Sequence, residues 1–315
     1  MPRVARLAVT IAVLTVGLMG LGGAVHATGS SLACPDWPLC HGQLMPAMVG
    51  GVALEHSHRL LASLVAVLTI WLVFITHRRR FEAPRVAQLA WVALGLVAVQ
   101  AVLGGVTVLL ELSTAASTLH LAVSMLFLTT LVLLASMAAR AIPERGGGGL
   151  SVPRTLRSLV AIAWVALFVQ IVLGGLVRHT GAAMACGRDP WLCLGDPWPA
   201  FPLARLQMIH RFGALVTAGV VLWVGRGVFR ATRHRAVRRL AALGVGLVLA
   251  QIGLGVWSVS GALPVSAVTS HLVVAALLLV VLTHLAIRLG AVRATIAMTG
   301  DDPRRACAVP ALDRP

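Results

Sequence analysis

The sequence predicts an all-α membrane protein: eight transmembrane helices forming two pseudo-twofold-related four-helix bundles, with both termini cytoplasmic. Three observations carry this reading: long apolar runs, arginine concentrated on one side of them, and an internal repeat. The chain is 58% hydrophobic and 11% charged, with mean hydropathy +0.92, where a soluble domain carries about 25% charged residues. So much apolar surface needs lipid as part of its solvent. The net charge of +16 does not indicate a nucleic-acid binder, because the charges sit in short clusters between apolar runs.

A helix crosses the bilayer with roughly 20 mostly apolar residues. The first such run, about 7–25, follows Arg3 and Arg6 and ends in small residues near Ala27, the outline of a secretory signal. Its repeat partner lies mid-chain, so a retained helix is expected. The second, at about 53–76, stops at Arg78-Arg79-Arg80, and the third and fourth follow at about 86–110 and 115–139. Residues 141–156, with Gly146-Gly147-Gly148-Gly149, read as a flexible linker between an N-terminal half, 1–140, and a C-terminal half, 157–290. That second half holds runs at about 157–177, 204–228, 240–260 and 266–288. Residues 291–315 read as a disordered tail. All 26 basic residues are arginine. Five of them, Arg59, Arg178, Arg188, Arg205 and Arg211, fall on one side and 21 on the other. Positive charge marks the cytoplasmic side, which sets the expected orientation.

The repeat has an offset of 152 or 151 residues. Gly22-Gly23-Ala24-Val25-His26-Ala27-Thr28-Gly29 aligns with Gly174-Gly175-Leu176-Val177-Arg178-His179-Thr180-Gly181, Cys34 with Cys186, and His58-Arg59 with His210-Arg211. Gln100 aligns with Gln251 and His120 with His271. An even number of helices per half makes the halves parallel repeats about an axis along the membrane normal. Small residues such as Gly104, Gly105, Gly174 and Gly175 allow close helix approach.

His58, His120, His210 and His271 begin the second, fourth, sixth and eighth runs. Each lies about 8–10 Å into its span at 1.5 Å per residue, at one depth near the outer face. An ionisable side chain inside a span is a functional hypothesis by default. Histidines from two facing helices can bind heme iron axially, giving candidate pairs His58 with His120 and His210 with His271. Hydrogen bonding between helices is the plainer alternative. Zinc fits less well, since neither half offers a convincing third and fourth ligand. Arg59 and Arg211 are candidates to hold heme propionates, or else they snorkel to headgroups.

The halves differ where Glu55, three residues before His58, is matched by Gln207. A carboxylate can move protons and an amide cannot, so chemistry is expected in the N-terminal half. Pairing of Glu55 with Arg59 is the alternative. Cys34 and Cys40, and Cys186 and Cys193, fall in outer loops and are close enough in sequence for local disulfides; Cys307 lies in the tail. This distribution suits the redox compartments. Either a structural or a redox role is open to each pair.

Thr28-Gly29-Ser30, then Cys34-Pro35-Asp36-Trp37-Pro38-Leu39-Cys40-His41-Gly42, then Glu55-x-x-His58-Arg59 together resemble the heme A synthase family. The second-half motif from Gly174 to Gly181 and the positions of His210 and His271 extend the resemblance over nearly the whole chain. It implies an enzyme that oxidises the C8 methyl of heme O to a formyl group by successive hydroxylations, making heme A for cytochrome c oxidase. It further implies heme O as substrate in the N-terminal half, served by Glu55, His58 and His120. Heme b is implied in the C-terminal half, on His210 and His271. The paired loop cysteines also match. His26 departs from the pattern, standing where an arginine like Arg178 is expected. The implied partners are heme O, an unidentified electron donor or acceptor, and a heme O synthase, with a homo-oligomer left open. The implied place is the bacterial cell membrane, heme sites outward. Two rival readings are an electron-transfer cytochrome, which leaves the Glu55/Gln207 difference unexplained, and a heme carrier or chaperone.

Overall fold

The structure is a computed structural model that describes residues 1–139 and 152–291. Most of the Gly-rich linker and nearly all of the tail, with Cys307, lie outside the described residues. Eight helices among the described residues are long and apolar enough to cross a membrane. They are α1 (Pro2–Ala27), α2 (Gly50–His77), α3 (Pro84–Leu109), α4 (Thr114–Ala138), α5 (Arg154–His179), α6 (Pro202–Ala231), α7 (Arg235–Ser260) and α8 (Val265–Arg288). They start two to five residues before the apolar runs in most cases, because the first helical turn tolerates polar residues. Pro84 and Pro202 open α3 and α6, where a missing N–H is no loss and φ is already helical.

Helices α1–α4 pack in a closed ring, each against the next and α4 back onto α1, and α5–α8 do the same. The rings meet where α1 and α4 lie against α8 and α4 lies against α5. Helices α3 and α7 are the least buried, and α4 is the most buried. The two rings share local backbone forms. Their α3–α4 and α7–α8 turns each carry two successive left-handed residues, Glu111-Leu112 and Ala262-Leu263. The loops after α1 and α5 each carry a left-handed residue followed by glycine, His41-Gly42 and Leu194-Gly195.

Packing is uneven along the helix axes. One apolar cluster joins Ile11 of α1, Leu72 of α2, Ala90 of α3 and Leu131 and Leu134 of α4. A second joins Val160, Val224, Ala241 and Leu282 of the second ring, while a small third cluster, Cys186, Cys193, Ala204 and Met208, sits at the second disulfide. Lipid tails are as apolar as leucine, so what holds these clusters is close van der Waals fit. The two large clusters lie toward the end where α1, α3, α5 and α7 begin. At the opposite end, beneath the disulfide loops, the rings are hollow.

Candidate functional site

That hollow is one continuous cavity of about 720 Å³, lined by His58, His120, His210 and His271 together. Cofactor and small-molecule sites run to roughly 300–1,000 Å³.

Each histidine lies against a glycine on a neighbouring helix. A methyl group built on Gly22 would stand 2.9 Å from His58 Cε1; the same test gives 3.5 Å at Gly104 for His120, 3.0 Å at Gly174 for His210 and 3.3 Å at Gly255 for His271. The glycines let the imidazole edges press against the helix backbone. Four residues before three of them, the carbonyls of Leu18, Gln100 and Gln251 face the rings of His58, His120 and His271. The Nδ1 atoms of these three rings are buried and fall short of full hydrogen-bond geometry. At the fourth site Gln170, four residues before Gly174, uses its side chain: Nε2 lies 2.9 Å from His210 Nδ1 and donates to the His210 carbonyl at 2.8 Å. Turning Nδ1 toward a helix backbone leaves Nε2 as the coordinating atom, the usual arrangement of a ligating histidine. His58 and His120 are near enough to interact electrostatically, as are His210 and His271.

Glu55 is 4% exposed and lines the cavity. Its Oε1 pairs with Arg59 at 2.6 Å, and its Oε2 accepts the Cys34 N–H at 2.8 Å. Arg59 also donates to the carbonyls of Cys34 at 2.8 Å, Asp36 at 2.7 Å and Leu39 at 2.5 Å. Both terminal nitrogens of its guanidinium are thus engaged, three bonds going to the first loop and one to Glu55. The counterpart is looser. Gln207 donates to the Ala183 carbonyl at 3.3 Å, and its Oε1 is buried without a partner. Arg211 donates to the Leu192 carbonyl at 3.1 Å, while its second terminal nitrogen is buried and unpartnered.

Disulfides join Cys34 to Cys40 and Cys186 to Cys193. Within the first loop, Asp36 accepts from the N–H groups of Gly42 and His41 at 2.8 and 2.7 Å. These bonds, Gly42 first, hold its carboxyl below the ordinary carboxylate range. Asp189 is lowered likewise by the Trp191 and Leu192 N–H groups. Trp37 and Pro38 of the first loop and Pro190 and Trp191 of the second close over the cavity.

Three features escape a reading of residue types alone. Gly22, Gly104, Gly174 and Gly255 serve the histidines, and their own repeat offsets, 152 and 151, were the available signal. Gln170 has no counterpart signal, since position 18 is leucine. At the seam between rings, His26 meets His179 edge to face, centroids 4.9 Å apart. Arg178, with a buried unpartnered Nε, lines the cavity beside them.

The family profile described as COX15-CtaA, cytochrome oxidase assembly protein, matches residues 5–49 and 51–283. Relatives named heme A synthase resemble the chain over most of its length. That of Exiguobacterium sibiricum is 31% identical, covering 80% of this chain and 83% of the relative. Those of another Exiguobacterium strain, AT1b, and of Shouchella clausii are 30% and 31% identical over 80% and 75% of this chain, and 81% and 79% of the relatives. A match that runs through all eight helices and takes in both loops and all four histidines leaves one assignment: the chain belongs to the COX15-CtaA family of cytochrome oxidase assembly proteins.

Proposed function

We propose that this multi-pass membrane protein is a heme A synthase, an oxidoreductase that converts heme O to heme A for oxidase assembly. The observation that carries the reading is the repeated histidine-on-glycine seat, four times around one cavity. The seats fit an iron porphyrin: each glycine lets an imidazole sit back against a helix, where a methyl group would push it forward, and four such imidazoles on one cavity wall are the donor type that would hold heme iron.

In this reading His58 and His120 hold heme O in the N-terminal half, residues 1–140. His210 and His271 hold heme b in the C-terminal half, residues 157–290. Bound heme b supplies one-electron redox chemistry. The chain's own residues do the rest. Glu55, held by Arg59 and the Cys34 N–H, lies on the cavity wall and is the candidate proton acceptor near the reacting methyl. Arg59 acts through the loop, holding Glu55 and the disulfide in register. Arg211, with an uncommitted N–H group, is the better placed of the two arginines for a propionate. Trp37 and Trp191 keep bulk water out from above. The matched turns and loops support a pseudo-twofold relation of the halves. The arginine distribution supports a cytoplasmic side for both termini, with the heme sites and disulfides toward the outer face of the bacterial membrane. An electron partner, a heme O synthase and self-association remain part of the proposal only as partners the reaction implies.

The test is the heme content of purified protein from cells that make heme O, for wild type beside Glu55→Ala. Heme A or its hydroxylated precursor in wild type, with heme O accumulating in the variant, supports the synthase and puts the chemistry in the N-terminal half. Heme b alone in both overturns it in favour of an electron-transfer cytochrome.

A further inference from the structure

At the end of the molecule opposite the disulfide loops, a groove of about 630 Å³ runs between the start of α7 and the end of α8. It is lined by His234, Arg235 and Arg239 from one side and His284 and Arg288 from the other, with Leu240 and Leu243 deeper along α7. No acidic residue lines it among the described residues. Among the described residues Glu82 is the only carboxylate at this end of the bundle, and the one ion pair joins Glu55 to Arg59 at the far end.

Two properties point to a ligand. The groove's cations are uncommitted: neither Arg235, Arg239 nor Arg288 makes a side-chain hydrogen bond among the described residues, whereas neighbouring Arg238 donates to the Phe229 carbonyl at 3.0 Å. The first turn of α7 holds no acidic side chain, and its N-cap makes no side-chain bond, so its free N–H groups add to the positive field. The lining is also graded. Arg235, Arg239 and Leu243 follow at four-residue intervals on one face of α7, as His284 and Arg288 do on α8. Charge gives way to apolar surface within two turns, moving into the span. A soluble phosphate needs only the charged part. A headgroup with acyl chains attached uses both.

We propose that this groove is a specific site for one anionic phospholipid, its phosphate held by Arg235, Arg239 and Arg288 and its acyl chain lying along Leu240 and Leu243. Arginines merely reaching toward the interface would interact with any anionic surface without a stoichiometry. A site retains a countable lipid. The proposal is independent of the heme reading.

The experiment is native mass spectrometry of the full chain released from nanodiscs of phosphatidylcholine containing graded cardiolipin or phosphatidylglycerol. Wild type is expected to keep one anionic lipid. The triple variant Arg235→Gln/Arg239→Gln/Arg288→Gln should bind it roughly a hundredfold more weakly, from about fivefold per arginine. The control Arg78→Gln/Arg79→Gln/Arg80→Gln removes the same charge from another loop at this end and should retain the lipid. Both triples are checked for fold by helical circular dichroism and a single symmetrical size-exclusion peak. Equal loss in both triples, equal retention of phosphatidylcholine, or full displacement of the lipid by inorganic pyrophosphate would each overturn the proposal. So would lipid binding that emerges only in Asp301→Asn/Asp302→Asn, which would give the groove to the chain's own tail.

Discussion

Gly22 and Gly174 do for their histidines what no larger residue can. A methyl group there meets His58 at 2.9 Å and His210 at 3.0 Å, and overpacking of this kind costs about 1–3 kcal/mol. We predict that Gly174→Ala lowers heme b retention and Gly22→Ala lowers heme O uptake, each about tenfold or more. Gly17→Ala, where a methyl meets nothing within 4 Å, should leave both unchanged; heme per protein by absorbance decides. The histidines themselves were legible in the sequence, because a rare residue type recurring at a fixed offset is a strong signal. Gln170 was not, because its role depends on which helix faces α6, and no spacing encodes that.

The first disulfide loop is an element assembled from a distance. Arg59 reaches three of its carbonyls and Glu55 one of its N–H groups, so the start of α2 and the loop stand or fall together. Removing one member of a buried ion pair strands the other, at about 3–5 kcal/mol. Arg59→Gln should therefore open the first loop to proteolysis and speed reduction of Cys34–Cys40 by dithiothreitol. Arg211→Gln, which loses one loop carbonyl contact and breaks no ion pair, should change the second loop far less. Acid acts on the same element. A carboxyl lowered in the folded loop stabilises it fully above the ordinary aspartate pKa and loses that contribution as pH falls through its folded value. Asp36 is lowered in this way, so loop protection should fade below about pH 4. Asp36→Asn should flatten that profile, as read by the rate of Cys34–Cys40 reduction against pH with a phosphine reductant, which works in acid where a thiol does not. The sequence offered Arg59 a choice between propionate, headgroup and Glu55; the structure pairs it with Glu55 and with three loop carbonyls, and backbone carbonyls carry no mark in a sequence.

For the whole molecule, spans and their number were legible because lipid imposes a length and polarity that composition reveals directly. The join between rings was not. The seam of His26, Arg178 and His179 arises because α1 and α4 happen to meet α5 and α8, and the only repeat signal there was the mismatch of His26 with Arg178. Arg178 opens on the common cavity, so its effect should be shared. We predict that Arg178→Gln weakens heme retention in both halves, whereas Arg211→Gln weakens heme b alone. Separate quantitation of heme b and heme O after washing in detergent distinguishes the two patterns.

A bundle packed at one end and hollow at the other is incomplete as a polypeptide. Whatever fills the hollow binds the folded chain and not the unfolded one, and at a hundred times its Kd it adds about 2.7 kcal/mol of stability. Supply of pigment then becomes a term in the protein's lifetime. In cells starved of iron the chain should be made at its usual rate yet be degraded sooner, its level set by quality-control proteases rather than by transcription. A pulse–chase comparison of iron-replete and iron-starved cells would read this directly: a shortened half-life in starved cells, abolished when heme precursors are restored, is the expected result.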